Sequence, residues 1–274
     1  MKSDVTHGVS GGQKLKPEVD YAGREVIGAR QFQEDYYAFF FTEEDAPCLV
    51  GVLCDGMGGE VGGSVASRVA VEAFIQSFQE TKKIRTGDKL KGALRAANTE
   101  IANLIQREQD LAGMGTTLVG FCLHPAGLEW ISVGDSPLYL YRNSYLQRLN
   151  SDHSMKPLID DEVRSGKISV EDAKTHPQRN TLRSVVGGGW IELTDESVEP
   201  LILHAADKII VASDGILTLS EAAIQKTIKK NIKCDAGGLS DALSSEVLKV
   251  AKSDQDNLTV LVVTAGSMLA PRIV

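Results

Sequence analysis

Short runs of apolar, β-branched and aromatic residues recur along this chain between breaks rich in glycine, proline and asparagine, and such runs mark strands. The pattern predicts strands over 24–30, 36–42 and 48–54, the last almost continuously apolar and closed by Asp55-Gly56. Helical spacing then takes over. Residues 64–81 are broadly apolar, while 88–107 set Leu90, Leu94, Ala97, Ile101, Leu104 and Ile105 on one face, with Asp88 as the expected cap. Strands resume over 116–123, 128–133, 137–142 and 145–149, separated by turn residues such as Arg142-Asn143-Ser144. Between 151 and 189 the chain turns polar, with short helical patches over 157–165 and 170–174. Further strands are expected over 190–194, 208–212 and 257–264, and further helices over 221–230 and 239–251.

Strands, two helices, strands, two helices and a last strand predict an α+β fold with helices packed outside sheets. No internal repeat or long linker divides the chain. Residues 1–19, polar and glycine-bearing, read as a flexible N-terminal tail, 20–266 as a single domain, and 267–274 as a C-terminal tail.

Composition narrows the class. With 274 residues, 42% hydrophobic and 24% charged, the chain can bury a sizeable core. A net charge of −8 argues against a nucleic-acid partner, since neutralising phosphates needs clustered Lys and Arg. Cys48, Cys54, Cys122 and Cys234 form no CxxC pair and read as reduced thiols without a disulfide framework. No signal-peptide core is visible near the N-terminus, and no apolar run approaches the roughly 20 residues that cross a bilayer. The expectation is a soluble cytoplasmic protein with no membrane insertion.

The informative chemistry is where the acids fall. Glu34-Asp35 precedes one predicted strand, Asp55-Gly56 closes another, Asp135 follows a third, Asp214-Gly215 closes a fourth, and Asp256-Asn257 opens the last. Any one of these is an ordinary turn. Five carboxylate-bearing strand ends together are another matter, because converging carboxylates repel and call for cations. An all-oxygen ligand set without clustered His or Cys favours Mg²⁺ or Mn²⁺ over zinc. Spacing alone leaves open whether these ends meet. Gly56-Met57-Gly58-Gly59 would let the backbone approach a ligand, and reads equally well as a flexible loop into a helix.

Arg30-Gln31-Phe32-Gln33-Glu34-Asp35, Asp55-Gly56-Met57-Gly58-Gly59, Gly115-Thr116-Thr117, Gly134-Asp135-Ser136, Asp152-His153-Ser154, His176-Pro177-Gln178-Arg179-Asn180, Ser213-Asp214-Gly215 and Asp256-Asn257 occur in a recognisable order. From about Gly23 to Val263 the chain resembles the metal-dependent protein phosphatases of type 2C, and more closely their bacterial branch. Each motif is weak alone; the ordered set is specific. The resemblance implies a central β-sandwich of two antiparallel sheets flanked on both sides by pairs of α-helices. It also implies hydrolysis of phosphoserine and phosphothreonine in proteins, by a water activated between two Mn²⁺ or Mg²⁺ ions. Those proteins would be substrates of a cognate Ser/Thr kinase.

Carried onto this chain, Asp55 would bridge both ions and the Gly56 carbonyl would bind one of them. Glu34 would support that ion directly and Asp35 through water, while Asp214 and Asp256 would hold the other. Arg30 takes the position that grips the substrate phosphate, a task suited to a planar guanidinium. Residues 151–189 take the place of the flap beside the site. His153 and His176 are expected to be hydrogen-bonding flap residues, Arg179 and Arg183 solvated or ion-paired, and Gly115-Thr116-Thr117 to serve strand packing.

The departures are specific. Met57 stands where eukaryotic members carry a histidine, as is common in bacterial ones, and Glu60 and Ser64 alter the loop that follows. A third ion in this family uses Asp135, Asp214 and an acid at the position of Thr218, so this third site is expected to be weak or absent unless Glu221 substitutes. These changes keep a second reading open, a pseudophosphatase serving as a metal-stabilised protein- or phosphopeptide-binding module.

Overall fold

The apolar run from Cys48 to Met57 is a strand with both faces covered, because it lies inside a stack of four layers. The structure is a computed structural model that describes residues 5–7, 13–15, 19–42, 47–82 and 85–266. Its strands in chain order are β1 (Val5–His7), β2 (Gln13–Leu15), β3 (Val19–Val26), β4 (Asp35–Thr42), β5 (Cys48–Met57), β6 (Gly115–Thr116) and β7 (Leu118–His124). There follow β8 (Gly127–Val133), β9 (Leu138–Arg142), β10 (Tyr145–Arg148), β11 (Asp195–Glu196), β12 (Lys208–Ala212) and β13 (Leu258–Ala265). The helices are α1 (Gly59–Glu80), α2 (Thr86–Arg107), α3 (Lys156–Arg164), α4 (Val170–Lys174), α5 (Glu221–Lys230) and α6 (Ala236–Lys249).

One sheet runs β1-β4-β5-β7-β8-β11, with β6 joined to the end of β5; the other runs β10-β9-β12-β13-β3-β2. All pairings are antiparallel. Between the sheets lies a core that includes Tyr37, Phe39, Leu53, Phe121, Leu140, Val211 and Leu261. The alternate residues of β5, Val50, Val52 and Cys54, face α1 and α2 on the outside of the first sheet. The other outer face is covered by α5 and α6, through Ile224, Ile228, Leu239, Leu243 and Val247 against Ile210, Val260 and Val262. This is the four-layer α+β sandwich that the resemblance implied.

Two close approaches register the first sheet. A Cβ on Gly51 would come within 2.3 Å of the Phe121 ring, and one on Gly120 within 2.3 Å of the Phe74 ring. Each glycine makes room for an aromatic ring on a different face, which is why neither position tolerates a side chain.

The structure departs from expectation at four places, the first being that the strand expected over 24–30 runs Val19–Val26, with residues 27–30 in a turn. Asp88 lies in the first turn of α2 and does not cap it; the helix begins earlier, at Thr86, with no side-chain cap bond. The strand predicted over 190–194 is absent. There Asn98 of α2 holds the chain first, accepting from the Gly188 N–H at 2.9 Å and donating to the Gly189 carbonyl at 2.8 Å. Trp190 is left 93% exposed, and pairing with β8 waits until Asp195 and Glu196. The segment read as a flexible tail carries β1 on β4 and β2 on β3, where open backbone groups of each sheet find partners. The rest of that segment, and the predicted tail 267–274, lie outside the described residues.

Candidate active site

Five strand ends at one edge of the sandwich bring the acids together. Asp35 opens β4 and stands directly opposite Asp55 in the neighbouring β5, a register that sets two carboxylates side by side. Like charges in that position destabilise a sheet unless something neutralises them. From the second sheet come Asp214, which begins a 3-10 helix just beyond β12, and Asp256, just before β13. Asp135 follows β8 on a turn made by Gly134 at φ 99°.

The backbone around Asp55 is held tightly. Thr117 Oγ1 accepts from the Asp55 N–H at 3.1 Å, the Thr117 N–H donates to the Asp55 carbonyl at 2.9 Å, and Thr116 Oγ1 donates to the same carbonyl at 2.8 Å. β6 extends the pairing to Gly56 and Met57, so β5 continues as a strand past its acid. Gly115-Thr116-Thr117, expected to serve strand packing, also fixes the candidate bridging ligand. The signal was in the motif: two threonines beside a glycine can bind backbone as well as pack.

Glycines set the distance between Glu34 and this strand. The Gly56 N–H donates to the Glu34 carbonyl at 3.1 Å. A Cβ on Gly56 would meet the Gly63 carbonyl at 2.1 Å, and one on Gly63 would strike Glu34 Oε1 at 2.1 Å. The Glu34 carboxylate is thus wedged against the first turns of α1, where its Oε1 is buried and has no hydrogen-bond partner.

Asn257 is a second residue that the sequence reading left without a role of its own. Its Oδ1 accepts from the Glu34 N–H at 2.8 Å, and its Nδ2 donates to the carbonyls of Ile27 and Phe32 at 2.9 and 3.0 Å. One buried amide thereby pins the whole loop that carries Arg30 and Glu34. Arg30 itself is exposed and donates to Asp256 Oδ2 at 2.6 Å.

The electrostatics are those of a site short of positive charge. Burial above all, then Asp35, Asp214, Asp135 and Asp256 in turn, push the Asp55 carboxyl well above the usual carboxylate range. Asp35 is pushed up to about 7, chiefly by burial; the Ser213 hydroxyl opposes the shift, and Asp214 and Asp256 add to it. Asp135 rises to about 7, and Asp214 to about 6 with Asp256 as its main repelling neighbour after burial. Burial also raises Glu34, against the pull of Arg30. Thr259 stands beside Asp35 and eases its charge, yet neither Thr259 Oγ1 nor Asp35 Oδ1 completes a hydrogen bond.

Among the described residues, no three Asp, Glu, His or Cys side chains converge closely enough to hold an ion as they stand. Repulsion acts over longer distances than coordination, so these carboxylates raise one another's pKa without closing on a single point. Hard cations fit it: the donors are all oxygen, two of them are buried and unpartnered, and the carboxylates repel. At the third position Thr218 donates to Gln255 Oε1 at 2.7 Å, and Gln255 Nε2 reaches the carbonyls of Gly215 and Asp256, each at 3.2 Å. A neutral network thus occupies the place of the acid.

The flap residues behave as expected. His153 Nδ1 accepts from the Gly134 N–H at 3.3 Å, and burial lowers its pKa, so the neutral ring braces the Asp135 turn. His176 Nδ1 accepts from the Gln178 N–H, and Arg179 pairs with Asp160 at 2.9 Å.

Residues 22–234 match the family described as Protein phosphatase 2C. The chain belongs to this family. It is 32% identical over 245 residues to the serine/threonine phosphatase stp of Listeria welshimeri, covering 87% of this chain and 92% of that relative. The crystal structure of the Mycobacterium tuberculosis serine/threonine phosphatase PstP/Ppp superposes with a TM-score of 0.74 at 28% identity, covering 91% of this chain and 99% of that one. A structure of the PstP catalytic domain in complex with 2 manganese ions superposes at 0.72 with 26% identity, over 91% and 99% of the two chains. The protein is a serine/threonine phosphatase, a metal-dependent hydrolase, and the binding-module reading finds no support in its relatives. Its activity requires a divalent metal. No helix among the described residues is long and apolar enough to cross a membrane.

Proposed function

We propose that Glu34, Asp35, Asp55, the Gly56 carbonyl, Asp214 and Asp256 would hold two Mn²⁺ or Mg²⁺ ions. The observation that carries this reading is the Asp35–Asp55 register, which sets a buried and a half-buried aspartate opposite each other with the Asp214 N–H 3.5 Å from Asp55 Oδ2. When bound, the ions would supply a water made nucleophilic at neutral pH and positive charge beside the phosphate.

The chain's own residues do the rest. Thr116 and Thr117 keep Asp55 from turning, and Asn257 keeps the Arg30 loop at the site's edge. Arg30 then binds the substrate phosphate with its guanidinium fork, offsetting charge on the oxygens that do not leave. Asp35 draws in and orients water through the oxygen that has no protein partner. The substrates are phosphoserine and phosphothreonine proteins made by a cognate Ser/Thr kinase, and the setting is cytoplasmic. Asp135 holds at most a weak third ion, since Thr218 offers no charge and is engaged with Gln255.

The test is hydrolysis of p-nitrophenyl phosphate and of a phosphothreonine peptide with Mn²⁺, with EDTA, and by Asp55→Asn. Activity should need the metal and fall by orders of magnitude in the variant. Full activity in Asp55→Asn would sink the assignment.

A further inference from the structure

Away from the acids, one cluster of reactive side chains has no part in hydrolysis. Cys48 opens β5, and Cys122 lies in β7, its antiparallel neighbour. Val50 stands directly opposite Cys122, so Cys48 is the diagonal neighbour of Cys122 on the same face. That face packs against α1 and α2. Cys122 is fully enclosed there, while Cys48 is half-buried at the margin. Glu129 stands opposite Cys122 on β8 and binds His124 Nε2 at 2.9 Å, and Lys89 of α2 lies over the Phe78 ring, 4.8 Å from its centre.

We propose that Cys48 and Cys122 are a reversible oxidation site, at which a hydroperoxide drives closure of an internal disulfide between β5 and β7. Cys48 is the thiol that meets the oxidant, because it alone of the pair reaches the surface. Its thiolate attacks one peroxide oxygen and the O–O bond breaks, leaving a sulfenic acid and releasing water or an alcohol. Cys122 sulfur then attacks Cys48 sulfur; the S–S bond forms, the S–O bond breaks, and hydroxide leaves as water with the Cys122 proton. Two thiols are oxidised and one peroxide is reduced.

The surroundings favour these roles. Cys48 is held below the usual thiol range, chiefly by the hydrogen bond from Cys122, with the Lys89 ammonium adding to it against the cost of burial. Cys122 is pushed up by the same shared hydrogen bond and by burial, so it stays a thiol until Cys48 has been oxidised. A disulfide needs Cα atoms roughly 4.4–6.8 Å apart, which a diagonal pair meets only with some approach. On the β7 side Cys48 lies one residue beyond the ladder, which ends at Leu49–Leu123, while its pairing with Thr42 holds it to β4, so closure draws this end of β5 toward β7. Cys54 is buried beside Asp55 and Cys234 is exposed on its own, so neither has this arrangement.

The test takes the reduced full-length chain, exposes it to hydrogen peroxide, alkylates the remaining thiols and maps peptides by mass spectrometry without reductant. The expected product joins the Cys48 and Cys122 peptides, reverts with dithiothreitol, and lowers the count of titratable thiols from four to two. Cys48→Ser should abolish it, and Cys234→Ser should leave it unchanged. Conversion of Cys48 to sulfinic acid with Cys122 still alkylatable would overturn the proposal, as would reaction confined to Cys234. The bridge stands at the opposite end of β5 from Asp55, so this result and the metal dependence of hydrolysis stand or fall separately.

Discussion

The Ser213 hydroxyl donates to Asp35 Oδ2 at 2.7 Å, and this bond joins the two sheets at the edge where the acids gather. Ser213 is itself fixed by β13, accepting from the Thr259 N–H at 2.9 Å while its own N–H donates to the Thr259 carbonyl at 3.0 Å. Asp35 is almost wholly buried and has no other hydrogen-bonded side-chain partner for its carboxylate among the described residues. Ser213→Ala should therefore cost about 1–3 kcal/mol, the usual range for leaving a buried acceptor unpaired. The loss should be larger at pH 8 than at pH 5, where Asp35, with its pKa raised to about 7, takes up a proton. Urea unfolding of both proteins at the two pH values checks this; an equal loss at both would mean that Asp35 is not the group affected.

A second expectation concerns the metal-free protein as a whole. Asp35, Asp135 and Asp214 have folded pKa values raised to about 7, 7 and 6, while their unfolded values lie near 4. A raised carboxylate stabilises the fold fully below its unfolded pKa, and that contribution is lost as pH rises through the folded value. With EDTA present, Tm should fall steadily from about pH 4 to about pH 7. Adding Mn²⁺ at pH 7.5 should restore it, because an ion that binds only the folded chain shifts unfolding by mass action. A Tm that is flat across this range in EDTA would contradict repulsion among these carboxylates.

Much of this site was legible in the sequence, and the reason is physical. A carboxylate beside an apolar run marks a strand end, so Asp55, Asp214 and Asp256 stand out from local pattern, but that these ends share one edge followed only from the ordered motifs and their resemblance to the family. The supports could not. Thr117, Ser213 and Asn257 act through partners 62, 178 and 223 residues away, and polar side chains beside strands announce nothing about such distant bonds. The same limit explains β1 and β2. Three-residue strands carry too little pattern to read, and they exist because sheet edges accept them. Trp190 failed for the opposite reason: its β propensity was overruled by the Asn98 tether two residues before it.

Arg30 leads to a prediction with two readouts. Its guanidinium lies 2.6 Å from Asp256, the carboxylate proposed as an ion ligand, so it stands where positive charge is wanted. Arg30→Ala should weaken phosphopeptide hydrolysis by roughly ten-fold to a hundred-fold in kcat/KM, the scale of one charge-assisted phosphate contact. Mn²⁺ binding, measured by calorimetry without substrate, should not weaken and should tighten slightly as Asp256 is released. Loss of Mn²⁺ affinity in the variant would show that Arg30 positions the ligand rather than competing for it.

The network at Thr218 makes the last expectation sharp. Thr218 holds Gln255, and Gln255 in turn holds the carbonyls of Gly215 and Asp256, so the two segments of the second sheet proposed to bear metal are tied by neutral bonds. Thr218→Asp would place a carboxylate toward Asp214 and Asp135, whose pKa values are already raised by their neighbours and by burial. Without a cation the added charge should lower Tm, because a third repelling group joins the edge. With Mn²⁺ in excess, calorimetric titration should rise from two ions to three, and the Tm deficit should close. Turning the Gln255 amide to donate to the new carboxylate would set its Oε1 against the Gly215 and Asp256 carbonyls, so the substitution also breaks this network, a second reason for a lower Tm without a cation. If wild type already binds three ions at micromolar Mn²⁺, the threonine does not disable the third site, and the role given to this network is wrong.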